Sequence, residues 1–152
     1  MQTTEAAHIR LLICRVHHEK RWTGRSTSWN QDCLKNIGID NVIATIKTLD
    51  DCYYTDEDIE SAVECVKEHY KAKGGPIFLL KIAFSDERSR KTLNGYYLAE
   101  TTEKENIIVL YCDYLVLKDY AAFSQGIYTD YAAILVRENA EYPWEYVDGG
   151  YA

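Results

Sequence analysis

Asn106–Lys118 reads NIIVLYCDYLVLK, the longest stretch of the chain dominated by apolar and aromatic residues. Successive side chains of a strand point to opposite faces. Ile107, Val109, Tyr111, Asp113, Leu115 and Leu117 therefore share one face, and Ile108, Leu110, Cys112, Tyr114 and Val116 share the other. Both faces are apolar, so the strand needs cover on both sides. β-Branched and aromatic residues favour strand over helix, and the run falls short of the roughly 20 predominantly apolar residues of a membrane helix. Asp113 is the exception. A carboxylate on a covered face must find hydrogen-bond partners, or its charged form is disfavoured. Either the chain bends or bulges near Cys112 and Asp113, where structural carboxylates commonly sit, or Asp113 is a functional acid. The bulge is the simpler reading.

Upstream of this run, Thr55–Lys73 carries the strongest helix signal. Thr55 is an N-cap residue with Asp58 three positions on. Asp56, Glu57 and Asp58 lie at the positive end of the helix dipole, and Lys67, Lys71 and Lys73 at the negative end. Ile59, Val63, Val66 and Tyr70, with Ala62 beside them, form one apolar face. Gly74, Gly75 and Pro76 stop the helix. A shorter helix is expected over about 40–49, with Val42, Ile43, Ile46 and Leu49 as its stripe. Strands are expected over His8–His17, Pro76–Phe84, Thr92–Glu100 and Ile127–Arg137, in addition to the central run. Phe78, Leu80, Ile82 and Phe84 alternate against Lys81 in the second of these. Ser85–Lys91 reads as a charged turn and Asp119–Gly126 as a connector. The pattern predicts an α+β fold: a mainly antiparallel sheet of about five strands, with helices at about 40–49 and 55–73 packed on one face.

At 152 residues the chain fits one domain, 1–152, ending in an acidic aromatic tail at 138–152. Such a length can bury a core without disulfide or metal support. A hydrophobic content of 47% and only two prolines argue against wholesale disorder. The net charge of −7 opposes general affinity for nucleic acid or an anionic membrane. The charge is uneven, because residues 1–30 hold five basic residues against Glu5 and Glu19, a balance of +3, which leaves −10 for the rest. Five cysteines, an odd number with no CxxC pair, point to reduced thiols in a cytoplasm.

Four candidate sites emerge. The basic loop after the first strand holds His17, His18, Arg21, Trp22, Arg25 and Trp29. Arginine binds phosphate bidentately and tryptophan stacks on bases, so this loop is the candidate ligand site for a nucleotide or RNA. In an enzymatic reading, His17, His18 and Asp113 would carry acid–base chemistry; otherwise no catalytic residue is assigned. Cys65 and His69 lie at i and i+4 on the long helix, but two ligands do not make a zinc site. Asp50, Asp51 and the acids of the helix start lack the pattern of a calcium loop. No metal and no cofactor is expected. The tail offers Glu141, Tyr142, Trp144 and Tyr146, and tyrosine and tryptophan are favoured at interfaces.

The expectation is therefore a non-enzymatic acidic protein that binds, and inhibits, a basic protein partner. In composition alone it compares with toxin-immunity or phage anti-defence proteins. A small nucleotide or RNA enzyme or sensor using residues 17–29, and a structural subunit of an obligate homo-oligomer, are the alternatives.

Overall fold

A computed structural model of the chain describes residues 43–74 and 76–151. The predicted first strand and the loop holding His17, His18, Arg21, Trp22, Arg25 and Trp29 lie outside the described residues. The described part is a five-stranded mixed sheet with two α-helices, an α+β fold. Its elements are β1 (Ile43–Lys47), α1 (Asp56–Lys73), β2 (Ile77–Ser85), α2 (Asp86–Leu93), β3 (Ile107–Val116), β4 (Gly126–Val136) and β5 (Glu145–Tyr151). Two 3₁₀ turns, Tyr97–Glu100 and Lys104–Asn106, lie between α2 and β3. The strand order is β1-β2-β3-β4-β5. β1 runs parallel to β2, and every other pairing is antiparallel.

The opening run is β3, the central strand. Its even face (Ile108, Leu110, Cys112, Tyr114 and Val116) joins the larger core cluster with the apolar face of α1. Its odd face contributes Ile107, Val109 and Tyr111 to a smaller cluster on the other side. Both faces are covered there, as its composition requires. Burial pushes the Cys112 thiol up to about 12, which makes it an inert packing group.

α1 is capped as its sequence indicates. The Thr55 hydroxyl accepts from the Asp58 amide at 3.1 Å, and the Asp58 carboxylate accepts from the Thr55 amide at 3.0 Å. Ile59, Ala62, Val63, Val66 and Tyr70 are its buried residues. Gly74 ends it at φ 56°, a conformation glycine adopts without steric cost.

Other expectations are corrected. The segment expected as a helix over 40–49 holds β1. Its five residues, IATIK, are rich in β-branched side chains and too few for periodicity to separate strand from helix. A parallel pair needs a long crossover, and α1 provides it between β1 and β2. The charged turn at Ser85–Lys91 is instead the start of α2. Ser85 caps it, Asp86 and Glu87 open it, and Arg90 and Lys91 close it. Its buried residues are Asp86 and Ser89, so no apolar stripe announced it. The Ser89 hydroxyl accepts the Val109 amide at 3.1 Å, and Leu93 joins the smaller cluster. α2 thus sits beside β3 where β2 has ended, rather than next to α1 on one face. The strand expected at Thr92–Glu100 is instead the end of α2, a turn and a 3₁₀ segment, with Gly95 at φ 92°. β4 is not the last strand. Residues 145–151 of the acidic tail form β5, an edge of the sheet.

Three irregularities control which side chains face the core. Leu80 is an extra residue in β2 opposite β3. Thr129 and Asp130 of β4 together oppose Asp113 alone. Val147 is an extra residue in β5 opposite β4. Each reverses the alternation of its strand. Leu79 and Ile82 therefore both enter the main core, and Tyr128 and Tyr131 both pack against it. The expected alternation of Phe78 and Leu80 with Ile82 and Phe84 breaks at Leu80 for this reason.

Gly149 tests this register. A methyl group there would lie 2.9 Å from Tyr131 Cε1 and 3.1 Å from the Ala132 carbonyl oxygen, and closer still to the Tyr146 hydroxyl. At Gly150 it would meet nothing within 4 Å. Gly149→Ala is expected to lower the unfolding free energy by about 1–3 kcal/mol through overpacking, whereas Gly150→Ala changes it by less than about 0.5 kcal/mol. Urea unfolding of the two variants checks the contrast.

Candidate functional site

One end of the sheet is organised by Arg137, at the exit of β4. Its backbone amide donates to the Asn106 carbonyl oxygen, and its Nε donates to Asn106 Oδ1. Nη2 donates to the Glu105 carbonyl oxygen at 3.0 Å, and Nη1 donates to Asp58 Oδ1. The guanidinium lies 4.3 Å from the Trp144 ring centre. Trp144 in turn donates its indole N–H to the Asp58 carbonyl oxygen at 3.0 Å. Arg137 is almost completely buried, with its charge met by the Asp58 carboxylate and its Nε and Nη2 each donating to an oxygen atom. A buried cation needs partners of this kind. Burial works to raise the pKa of Asp58, but the hydrogen bonds from Arg137 and Thr55 outweigh it and hold the carboxyl below its ordinary value.

The same contacts gather carboxylates from three separated segments. Asp56 and Glu57 begin α1, Glu103 and Glu105 precede β3, and Glu138, Glu141 and Glu145 flank the β4–β5 connection; all seven are exposed. Lys104 is the one exposed cation within those segments. Between Arg137 and the chain turn lies a pocket of about 230 Å³, lined by Val136, Arg137, Glu138, Tyr142, Pro143 and Glu145. The described residues carry 11 basic against 20 acidic side chains, a net −9.

The partner-binding set read from the tail divides on this geometry. Glu141 and Tyr142 are exposed, Tyr142 at 52%. Trp144, at 5% exposure, is a core residue touching Tyr54 and Arg137, so it is not free to anchor a partner. Tyr146 packs on the main core and stacks on His69 at 3.7 Å between ring centres. Glu138 and Glu145 belong with the exposed group. No local pattern could have joined them to Asp56 or Glu103, because contacts between residues distant in the chain, those of Arg137, Trp144 and Asn106, bring those segments together.

The remaining candidates have structural engagements. The Asp113 carboxylate accepts the Asp130 amide at 2.9 Å, at the bulge where Asp130 adopts φ 57°. Cys65 donates its thiol to the Trp144 carbonyl oxygen. Burial, then the Lys73 charge, lowers the pKa of His69. Asp51 is held by Arg90, which also pairs with the fully buried Asp86. Among the described residues, no three His, Cys, Asp or Glu side chains are grouped to hold a metal, and no helix is long and apolar enough to cross a membrane. The chain matches no protein-family model, no curated protein and no solved structure with which it was compared.

Two outcomes test this site. Trp144→Ala should cost about 3–5 kcal/mol in unfolding free energy, while Tyr142→Ala should change it by less than about 0.5 kcal/mol; denaturant titration separates them. For the ion pair, the folded-state pKa of Asp58 is depressed. Its stabilising contribution is therefore present above the ordinary carboxylate pKa of 3.8 and is lost as pH falls through the lower folded value. The drop in thermal midpoint on acidification below about pH 4 should be smaller in Asp58→Asn than in the parent chain.

Proposed function

We propose that this chain is a non-enzymatic acidic binding protein whose partner is a basic protein, engaged at the carboxylate-rich end around Arg137. The observation that carries the reading is the set of seven exposed carboxylates on the segments tied together around Arg137, two of which, Glu138 and Glu145, line a pocket walled by Tyr142. Val136, Pro143 and the Tyr142 ring offer apolar surface for the methylene stem of a lysine or arginine. Glu138 and Glu145 line the same pocket and would meet its charged head. The surrounding field speeds encounter with a cationic surface. Covering that surface would block whatever the partner does with it, so inhibition is part of the proposal. Small acidic inhibitors of the toxin-immunity and phage anti-defence kind share this charge balance, a likeness of composition only. A cytoplasmic setting belongs to the same reading and rests on the cysteine usage.

The test is affinity capture of basic proteins from the source cell by the full chain. The parent chain should retain a basic protein at about 0.1 M salt and release it toward about 1 M, where the screening length shrinks from ~10 to ~3 Å. The triple variant Glu138→Lys, Glu141→Lys, Glu145→Lys should retain none of it. Tyr142→Ala should weaken binding about tenfold, equivalent to about 1.4 kcal/mol. Capture that is unaffected by the triple change would remove the proposal.

A further inference from the structure

We propose that a second groove, on the face of the sheet opposite α1, binds a small anion with a planar ring, of the nucleoside monophosphate class. This site is independent of the acidic end. The groove has a volume of about 610 Å³, within the range of small-molecule sites. Its floor runs across β3, β4 and β5 along the paired residues Tyr111, Ala132 and Gly150. Directly opposite residues of antiparallel strands share a face. Two small residues of this face, Ala132 and Gly150, thus lie side by side, leaving a shallow bed. A methyl group at Gly150 would meet nothing within 4 Å, so there is open space over Gly150, while Tyr111 and Ala132 beside it are buried.

Two of the polar groups around the bed, Arg88 and Asp148, are held in place by other contacts. At one end stand two cations of α2, three residues apart. Arg88 lies 3.8 Å from the Tyr111 ring centre and pairs with Asp130 at 2.9 Å. Lys91 is exposed and makes no salt bridge among the described residues. At the other end is Asp148. The Val147 bulge turns it to this face, whereas Tyr146, two residues earlier, faces the core. Its Oδ2 accepts from the Tyr96 hydroxyl at 2.8 Å, and its Oδ1 accepts from the Gly149 amide at 2.8 Å. Each carboxylate oxygen keeps capacity for a further donor. Tyr151, 68% exposed, forms part of the rim.

This arrangement specifies the ligand by its ends and its middle. Lys91 and the free donors of Arg88 suit a phosphate. The space over Gly150 beside the exposed Tyr151 suits a ring, which gains from stacking on an aromatic side chain. Asp148 suits the exocyclic amine or ring N–H of a base, as carboxylates do when they accept from base amino groups. Two strand spacings, about 10 Å, separate β3 from β5, so the two kinds of contact fall at opposite ends of one small molecule. A metal cation is disfavoured by the two basic side chains, and a bare phosphate would leave the floor and Asp148 unused.

The test is isothermal titration of the full chain with AMP, GMP, adenosine, guanosine and inorganic phosphate. At least one monophosphate should bind saturably. Its parent nucleoside and inorganic phosphate should each bind at least about tenfold more weakly. Gly150→Leu, which fills the bed, should abolish binding, and Lys91→Ala, at an exposed position, should weaken it at least about tenfold with an unchanged thermal midpoint. The Glu138, Glu141 and Glu145 triple variant should bind the nucleotide normally, which separates this site from the acidic end. The proposal is overturned by the absence of saturable binding to either monophosphate. It is equally overturned if phosphate alone binds as tightly, or if Lys91→Ala binds as the parent chain does.

Discussion

The hydrogen bond from the Asp130 amide to the Asp113 carboxylate sits at the level where both neighbours of β3 change their alternation. β3 keeps strict alternation throughout, with one face in each core cluster. Its neighbours must match apolar residues to both clusters, and their sequences do so only with a shift of parity. β2 makes the shift at Leu80 and β4 at Thr129–Asp130. Asp130 takes a left-handed conformation that aspartate tolerates better than most side chains. The Asp113 carboxylate satisfies the amide that the bulge would otherwise leave without a ladder partner.

The aromatic core follows from that shift. Tyr114 stacks on Tyr128 at 5.2 Å and meets Tyr131 edge-on at 5.4 Å, although the two lie an odd number of residues apart on β4. Phe123 and Tyr70 pack against the same ring. An unbulged β4 would send either Tyr128 or Tyr131 to the opposite face. The high tyrosine content is therefore largely internal: Tyr54, Tyr70, Tyr111 and Tyr114 are buried, and Tyr128, Tyr131 and Tyr146 lie against the core. Tyr53, Tyr97, Tyr120, Tyr142 and Tyr151 are left exposed for outside contacts.

At the other end of β3, Arg137 has the corresponding role for charge. Its contacts tie the start of α1 and the approach to β3 to Trp144 and the exit of β4. Because it is buried and paired with Asp58, Arg137 does not neutralise the exposed acids that its contacts draw together. The resulting field is a product of packing. Of the candidate site, Glu141 and Tyr142 were legible as exposed tail residues. Trp144 was misplaced, because an aromatic flanked by acids in sequence looks alike whether it ends at an interface or over a buried guanidinium.

Local rules were sufficient where an element carried its own cap and stripe. α1, from Thr55 to Gly74, and β3, with its two apolar faces, are settled by nearest-neighbour chemistry: dipole complementation, a capping box, and alternation at period two. The sheet of five strands and the α+β class follow from the same signals. What local sequence could not decide was any choice that depends on a partner distant in the chain. IATIK became a strand because a parallel edge of β2 was there to receive it. The SDERSRK segment is anchored as a helix where Arg90 meets Asp51 and Ser89 meets the Val109 amide, contacts that leave no hydrophobic period. The tail became β5 because β4 had an open edge. The central run NIIVLYCDYLVLK thus determined that a sheet would form around it. The bulges beside Asp113 decided which tyrosines fill the core, and the Arg137 contacts and the Val147 bulge decided which acids remain exposed to act on other molecules.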